Sequence, residues 1–385
     1  MTGHKLLIFV IMAITLVYAM SQKTRSRKKC CVITTAAVLA LFSGLRSWRM
    51  GDMMHYCSAY LNVNMPDWTP HFVDNGDTLG LQLFLRLFGQ LGLGFEVCVF
   101  AVAVFVAVCL GVLIFRYSTS PFWSFVMYLA MGFYLLSFSA LKQIIAMSFV
   151  ILAAMAIFEK KPLRFILMVA MGALFHLPAL VFLIAYPFAN KKVDWKYFLI
   201  ILMMMATVFF FRDQVVNMFT NAYYEDEVQF EAAEFMGGKV YVMALLLVVA
   251  LTLRPLNRYD TLYRQVFNIN VLAVMVQTFS VYDNVFTRLA DYFFQFVVLL
   301  VPMMLQSYKM QARLHPEHTD QIRRWPTKVL YVGQMALLVI AVWLYMFTVD
   351  SGYELLKQFR FVWQSEGPSS LELLADMLAT YGVVK

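Results

Sequence analysis

From Val97 to Phe115 the chain carries no charged side chain. A run of ~18 or more such residues reads as a helix that crosses a bilayer. Similar runs recur along the sequence. They explain why 62% of the 385 residues are hydrophobic and only 14% charged, against roughly 45–50% and about 25% in a soluble domain. Mean hydropathy is +0.70. That balance excludes a soluble, disordered or fibrous chain, because even a large soluble protein leaves much of its surface in water. A transmembrane β-barrel would show short alternating segments instead. The expected class is all-α, a polytopic transmembrane helical bundle.

Candidate spans fall at 6–20, 31–45, 92–115, 121–137, 140–158, 163–188, 196–211, 239–254, 265–281, 288–306 and 328–347. With one of them broken, this makes about 11–12 membrane segments. The organisation reads as a single helical domain over 1–348, with long outer loops at 46–91 and 212–239, and an amphipathic tail over 349–385. In the tail, 353–363 and 370–381 read as short helices, and Ser369-x-x-Glu372 as a capping box for the second. The first apolar run lacks a small-residue cleavage site and precedes a basic loop, so it reads as a retained span, not a cleaved leader. The five cysteines include no CxxC pair, which leaves metal and redox motifs without support.

Charge sets the orientation. Lys23, Arg25, Arg27, Lys28 and Lys29 form the strongest cytoplasmic anchor under the positive-inside rule. If 163–188 crosses once, Lys191, Lys192, Arg254, Arg264 and the basic 307–328 loop all fall outside. If it goes in and returns, they fall inside with the anchor, and the rule prefers this. Phe175-His176-Leu177-Pro178 supplies the place, a titratable residue and a helix breaker at the centre of the run. Broken helices are tolerated in membranes where they line protein or a water-filled cavity. A single crossing kinked at Pro178 is the alternative. The formal charge of +8 thus marks loops, and nucleic acid is not an expected partner.

With a return at His176, the polar residues within or beside the spans gather on the outer side. They are Arg46, Arg49, Asp52, Lys142, Gln143, His176, Arg212, Asp213, Arg288 and Asp291, with Tyr292 beside the last. Charges in membrane helices are costly and usually line a site. Arg and Lys can grip a pyrophosphate and stabilise it as it leaves, and a carboxylate can take a proton from an attacking hydroxyl. Each residue alone has an ordinary reading: Arg46 and Arg49 could snorkel, and Arg288 and Asp291 could be a helix-surface pair. The signal is their collection on one face. The 46–91 segment adds Trp48, Tyr56, Tyr60, Trp68 and Asp77, which suit sugars or an interface. Asp226 and Glu227, in the acidic 212–239 loop, are weak acceptor-binding candidates. No metal-ligand spacing, phosphate-binding loop or dinucleotide motif is present, so no cofactor and no metal are expected.

The same residues carry a family resemblance. Ser43-Gly44-Leu45-Arg46 and Gly51-Asp52 with Tyr56 look like the start of the EpsG-like family of Wzy-type exopolysaccharide polymerases. Leu141-Lys142-Gln143-Ile144-Ile145-Ala146 is similar to the family's Leu-Arg-Gln-x-Ile-Ala. Phe175-His176-Leu177-Pro178-Ala179-Leu180 resembles its Phe-His-x-Ser-Ala-Leu, and Arg288 with Asp291-Tyr292-Phe293 its late Arg-x-x-x-Tyr-Phe. The ordered set covers roughly residues 35–306. Lys142 replaces an Arg, which keeps the charge and loses a bidentate fork. Pro178 stands where Ser is common, and Asp77 is the stand-in for a family Glu.

The resemblance implies a GT-C-like membrane glycosyltransferase at the outer face of the bacterial cytoplasmic membrane. It would transfer a growing glycan from undecaprenyl pyrophosphate to a lipid-linked repeat unit, without metal. Asp52 would be the general base, with His176 and Arg288 the other catalytic residues. Arg46, Arg49, Lys142, Gln143, Arg212, Asp291 and Tyr292 would bind substrate. A chain-length regulator and a flippase are the partners this implies. A single-addition transferase using a polyprenyl-phosphate sugar is the nearest alternative. A lipid-linked oligosaccharide flippase is the non-enzyme alternative, with Asn268 and Asn270 as its polar pair.

Overall fold

The computed structural model describes residues 25–49, 52–74, 76–214, 217, 236–252, 260–283, 285–306, 336, 340, 360–364 and 367–380. The expected span 6–20, all of the span 328–347 except residues 336 and 340, the acidic residues Asp226 and Glu227, and the tail stretch 353–359 lie outside them. The described residues are helical apart from one two-stranded hairpin and an isolated bridge.

α1 (Arg25–Gly44) packs along α4 (Phe95–Tyr117), and α7 (Leu141–Phe158) along α8 (Pro162–Phe175). Between them, α5 (Pro121–Ala130) and the short α6 (Phe133–Leu136) occupy the expected 121–137 span. Gly132, at φ 81, divides the two; the left-handed conformation there needs a residue without a Cβ. α10 (Trp195–Phe210) and α12 (Thr261–Gln277) each begin at an aspartate cap. Asp194 accepts from the Tyr197 N–H and Asp260 from the Tyr263 N–H, both at 2.9 Å, which satisfies a donor the helix start leaves open. α11 (Met236–Thr252) lies between them in sequence. α4 and α7 are each long and apolar enough to cross a membrane, by length and composition.

The 163–188 run folds back. After α8, His176 is extended at φ −154, and a 3-10 helix (Leu177–Ile184) and α9 (Ala185–Ala189) follow. The Phe165 ring lies 6.1 Å from Phe182 and 5.0 Å from Tyr186. A continuous helix would hold those pairs roughly 25–30 Å apart. Pro178, with no N–H and a fixed φ, prevents helix from continuing through the turn. The chain therefore turns back at His176, and Phe165 and Phe182 come to face each other.

A second break was not expected. The 288–306 span is two helices, α13 (Val285–Phe294) and α14 (Val297–Leu305), bent by 47°. Gln295 at the break donates to the Tyr292 carbonyl at 3.1 Å. Pro302, inside α14, leaves the Val298 carbonyl without its helical donor, and the Ser124 hydroxyl of α5 donates to it at 2.7 Å. A neighbouring helix thus supplies what the proline removes.

Of the residues placed on the cytoplasmic side by charge, Lys28, Arg116, Lys161 and Arg164 share one end. Glu159 pairs with Arg116 at 3.4 Å, Lys161 at 2.8 Å and Arg164 at 3.1 Å. Lys28 donates to the Ser118 carbonyl at 2.9 Å. Asn268 fastens the turn after α9. Its amide donates to the carbonyls of Phe188, Ala189 and Lys191, and its oxygen accepts from the Tyr197 hydroxyl.

At the opposite end the expected 46–91 loop is instead ordered structure. α2 (Met53–Val63) buries Met53, Tyr56, Cys57, Tyr60 and Val63, one face at helical spacing. β1 (Val73–Asp74) and β2 (Asp77–Thr78) pair antiparallel, Val73 with Thr78 and Asp74 with Asp77. α3 (Leu79–Gln90) follows directly. The tail also differs in part. Its second helix, α15 (Ser370–Thr380), forms with the expected capping box: the Ser369 N–H donates to Glu372 Oε2 at 2.7 Å, and the Glu372 N–H to Ser369 Oγ at 3.2 Å. Residues 360–364, expected to end a helix, instead form a bridge to Arg46 and a 3-10 turn.

Candidate functional site

The β1–β2 hairpin builds the site. Gly76, at φ 77, makes a turn that only glycine adopts easily. The next residue, Asp77, is buried between Lys142 and His55. Its Oδ1 lies 3.7 Å from Lys142 Nζ and its Oδ2 3.7 Å from His55 Nε2. Lys142 also donates to the Gly76 carbonyl at 2.6 Å. Gln82 of α3 braces the turn, donating to the Asp77 carbonyl at 2.7 Å and accepting from the His71 N–H at 3.2 Å. Thr78 Oγ1 donates to the Phe175 carbonyl at 2.7 Å, a group freed where α8 stops at His176. The hairpin and the helix break therefore hold each other in place.

His176 is buried, and its Nδ1 is hydrogen-bonded to the Tyr292 hydroxyl at 2.5 Å. The two rings stack with centroids 6.0 Å apart. Gln143, also buried, donates to the Arg288 carbonyl at 3.4 Å. Thr287 accepts from Gln277 at 3.0 Å. α7, the His176 break and α13 are thereby joined. The charge of Arg288 acts on Tyr56, Lys142 and His176. That of Asp52 acts on His55, Tyr56 and Lys142. Asp52 is exposed at the start of α2, with no capping hydrogen bond from its carboxylate.

Two groups of the hairpin region are electrostatically displaced. The Asp77 carboxylate holds the His55 imidazole above the usual histidine range, and Asp52 adds to this while Lys142 opposes it. Burial pushes the Tyr56 phenol up, with Asp77 and Asp52 acting the same way. A carboxylate flanked by a lysine and a raised histidine is an ion-pair anchor. Asp52, by contrast, is exposed.

Lys142 and Gln143 of α7, His176 and Tyr292 are thus held about the hairpin and α13, which also carries Arg288 and the buried Asp291, while Asp52 stands exposed at the start of α2, three residues before His55. Arg46 sits deeper. Its guanidinium donates to the carbonyls of Ser43 and Ser137, the latter at 2.7 Å, and lies 5.0 Å from the Phe138 ring. Arg49 stacks on Trp48 at 4.5 Å and donates to the Pro368 carbonyl of the tail. Arg212 lies against Phe209 and Tyr282, 3.6 Å from Asp213. Arg49 is thus tied to the tail and Arg212 to the end of α10, and neither contact involves the hairpin cluster.

His55 and the central place of Asp77 were missed from the sequence. The signal for Asp77 was Asn75-Gly76, a strong hairpin turn pair, which places Val73-Asp74 against Asp77-Thr78. His55 stands three residues after Asp52, which puts both on neighbouring positions of one helix start.

No curated protein and no solved structure matches the chain. The model of the EpsG family matches residues 29–314, and the chain belongs to that family.

Proposed function

We propose that this protein is an exopolysaccharide repeat-unit polymerase, acting at the outer face of a bacterial cytoplasmic membrane. The observation that carries the reading is the buried Lys142–Asp77 pair and the His176–Tyr292 pair at the His176 break, packed against the helix that carries Arg288. The donor is a glycan chain on undecaprenyl pyrophosphate, and the acceptor is a lipid-linked repeat unit. Lys142 and Arg288 bind pyrophosphate oxygens, and Asp77 keeps the Lys142 ammonium in place. Asp52 takes the proton of the acceptor hydroxyl. That oxygen bonds to the anomeric carbon as the carbon–pyrophosphate bond breaks. Undecaprenyl pyrophosphate leaves with the electron pair, its charge met by the two cations.

His176 and Tyr292 form a buried pair that sets the wall against which the sugar packs. Gln143 and Asp291 support α13, Arg49 and Arg212 supply positive field around the entrance, and Arg46 adds to it from within. A carboxylate in the first outer segment facing a basic cluster fits a GT-C-like arrangement. The flippase alternative has lost half its polar pair, since Asn268 is engaged with the turn after α9.

Purified protein mixed with undecaprenyl-pyrophosphate-linked repeat units, without nucleotide sugar, tests this on a gel of lipid-linked products. A ladder spaced by whole repeat units is expected. An unchanged band overturns it, and a band one sugar longer when a polyprenyl-phosphate sugar is added in a parallel reaction favours the single-addition transferase instead.

A further inference from the structure

We propose that the tail residues 360–364 and 367–372 form a clasp that positions residues 45–49, and so Arg46, with Glu96 and Ser370 as its locking pair. Its effect on activity rests on the polymerase reading; the clasp as a structural device does not. These tail residues lie outside those that the family model matches.

Four observations converge. First, the tail adds a strand to the chain just after α1. The Ser47 N–H donates to the Arg360 carbonyl at 2.8 Å and the Val362 N–H to the Leu45 carbonyl at 3.0 Å, on either side of the Arg46–Phe361 bridge. The backbone of Arg46 is therefore tied on both flanks. Second, the Phe361 ring packs edge-on to Phe42 at 5.7 Å and stacks on Trp363 at 4.5 Å.

Third, two helix starts cap each other. The Ser370 hydroxyl accepts from the Phe95 N–H at the start of α4, at 2.8 Å. Glu96 accepts from the Ser370 N–H at 3.1 Å, at the start of α15, and from the Ser370 hydroxyl. Each helix would otherwise leave those donors open, so the exchange is a capping box shared between distant parts of the chain. Ser370 is fully buried in it. Fourth, Glu96 also accepts from Trp48 Nε1 at 2.7 Å, and Arg49 donates to Pro368. The lock is thus wired directly to the 45–49 segment.

That segment needs an external hold. The Arg46 side chain is buried, it is held by backbone carbonyls, and its Nε has no hydrogen-bond partner among the described residues. Its place is set by where its own backbone is, and the tail fixes that backbone.

The test is thiol accessibility at a buried position of the segment. Ser47→Cys is introduced into the full chain with Cys30, the exposed native cysteine, changed to Ser. Maleimide labelling in membranes is compared with and without Ser370→Ala or Glu96→Gln. Labelling ~2–30-fold faster in both lock variants is expected, the change in an opening equilibrium that a lost cap worth ~0.5–2 kcal/mol makes. Native Cys109, buried in α4, must stay unlabelled. If Glu96→Gln unfolds the protein, Ser370→Ala decides alone. Unchanged labelling overturns the clasp. In the product gel, Ser370→Ala and Arg46→Lys should each lower kcat, and their double variant should fall no further than the worse single one. Fully additive losses overturn the positioning of Arg46. A wild-type protein that makes no ladder counts against the polymerase reading, and labelling still judges the clasp.

Discussion

Lys142 Nζ lies 3.7 Å from Asp77 Oδ1 and donates to the Gly76 carbonyl at 2.6 Å. One ammonium thus ties the hairpin turn to the first turn of α7. Both side chains are largely buried, at 16% and 7% exposure, so the pair holds only while both partners are present. Asp77→Asn leaves a buried cation facing a neutral amide. Breaking a buried pair costs ~3–5 kcal/mol. A thermal melt in detergent should show a clear loss for Asp77→Asn, with much of it recovered in Asp77→Leu/Lys142→Met. A variant that melts with wild type removes the pair from the account.

Gly80 sits where α3 meets the end of α8. A Cβ there would stand 2.5 Å from the Leu174 carbonyl oxygen, and backbone cannot step aside as a side chain can. Overpacking of this kind costs ~1–3 kcal/mol. Gly80→Ala should lower the melting temperature and the rate of polymer formation together, because the hairpin and the His176 break move apart. Wild-type values for both would mean the two elements are not coupled.

The His55–Asp77 contact makes stability depend on pH. The folded pKa of His55 is raised, so the protonated form binds better in the folded state. The stabilisation is complete below the unfolded value of ~6.5 and is lost as pH rises through the folded value. Asp52 reinforces the shift and Lys142 opposes it. Melting curves from acid to alkaline buffer should show wild type ahead of His55→Gln at low pH. The gap should close as pH rises. A gap that widens with pH has the wrong sign for this pair.

Asp52 is exposed, and exposed substitutions seldom move stability by more than about 0.5 kcal/mol. Asp52→Asn should therefore leave membrane abundance and melting unchanged. Loss of a general base should still slow polymer formation ~10²–10⁴-fold. Normal polymer from this variant would move the base to another group.

Much of this architecture could be read from the sequence, for local reasons. Apolar length placed α4 and α7, and Phe175-His176-Leu177-Pro178 together with the basic loops placed the return. The break between α13 and α14 was hidden because its remedy is tertiary: Ser124, on another helix, donates to the carbonyl that Pro302 leaves open. The 46–91 segment read as a loop because its Trp and Tyr residues suit an interface. Yet Met53, Tyr56, Cys57 and Tyr60 already carry a helical stripe. Lys142, His176 and Arg288 could be named as site residues from their charges in apolar context. Their link to His55 and Asp77 could not, because it runs through a hairpin whose docking is non-local. The Glu96–Ser370 exchange joins residues 274 apart, a distance no periodicity reports.

The most direct test of the central claim is Arg288→Ala in the purified ladder assay, at matched protein amount and with its melting curve recorded alongside. The account predicts an intact fold and a ladder that collapses to the starting repeat-unit band. A ladder of wild-type length and rate would contradict it, because Lys142 would then be stabilising the departing pyrophosphate without the second cation the site requires.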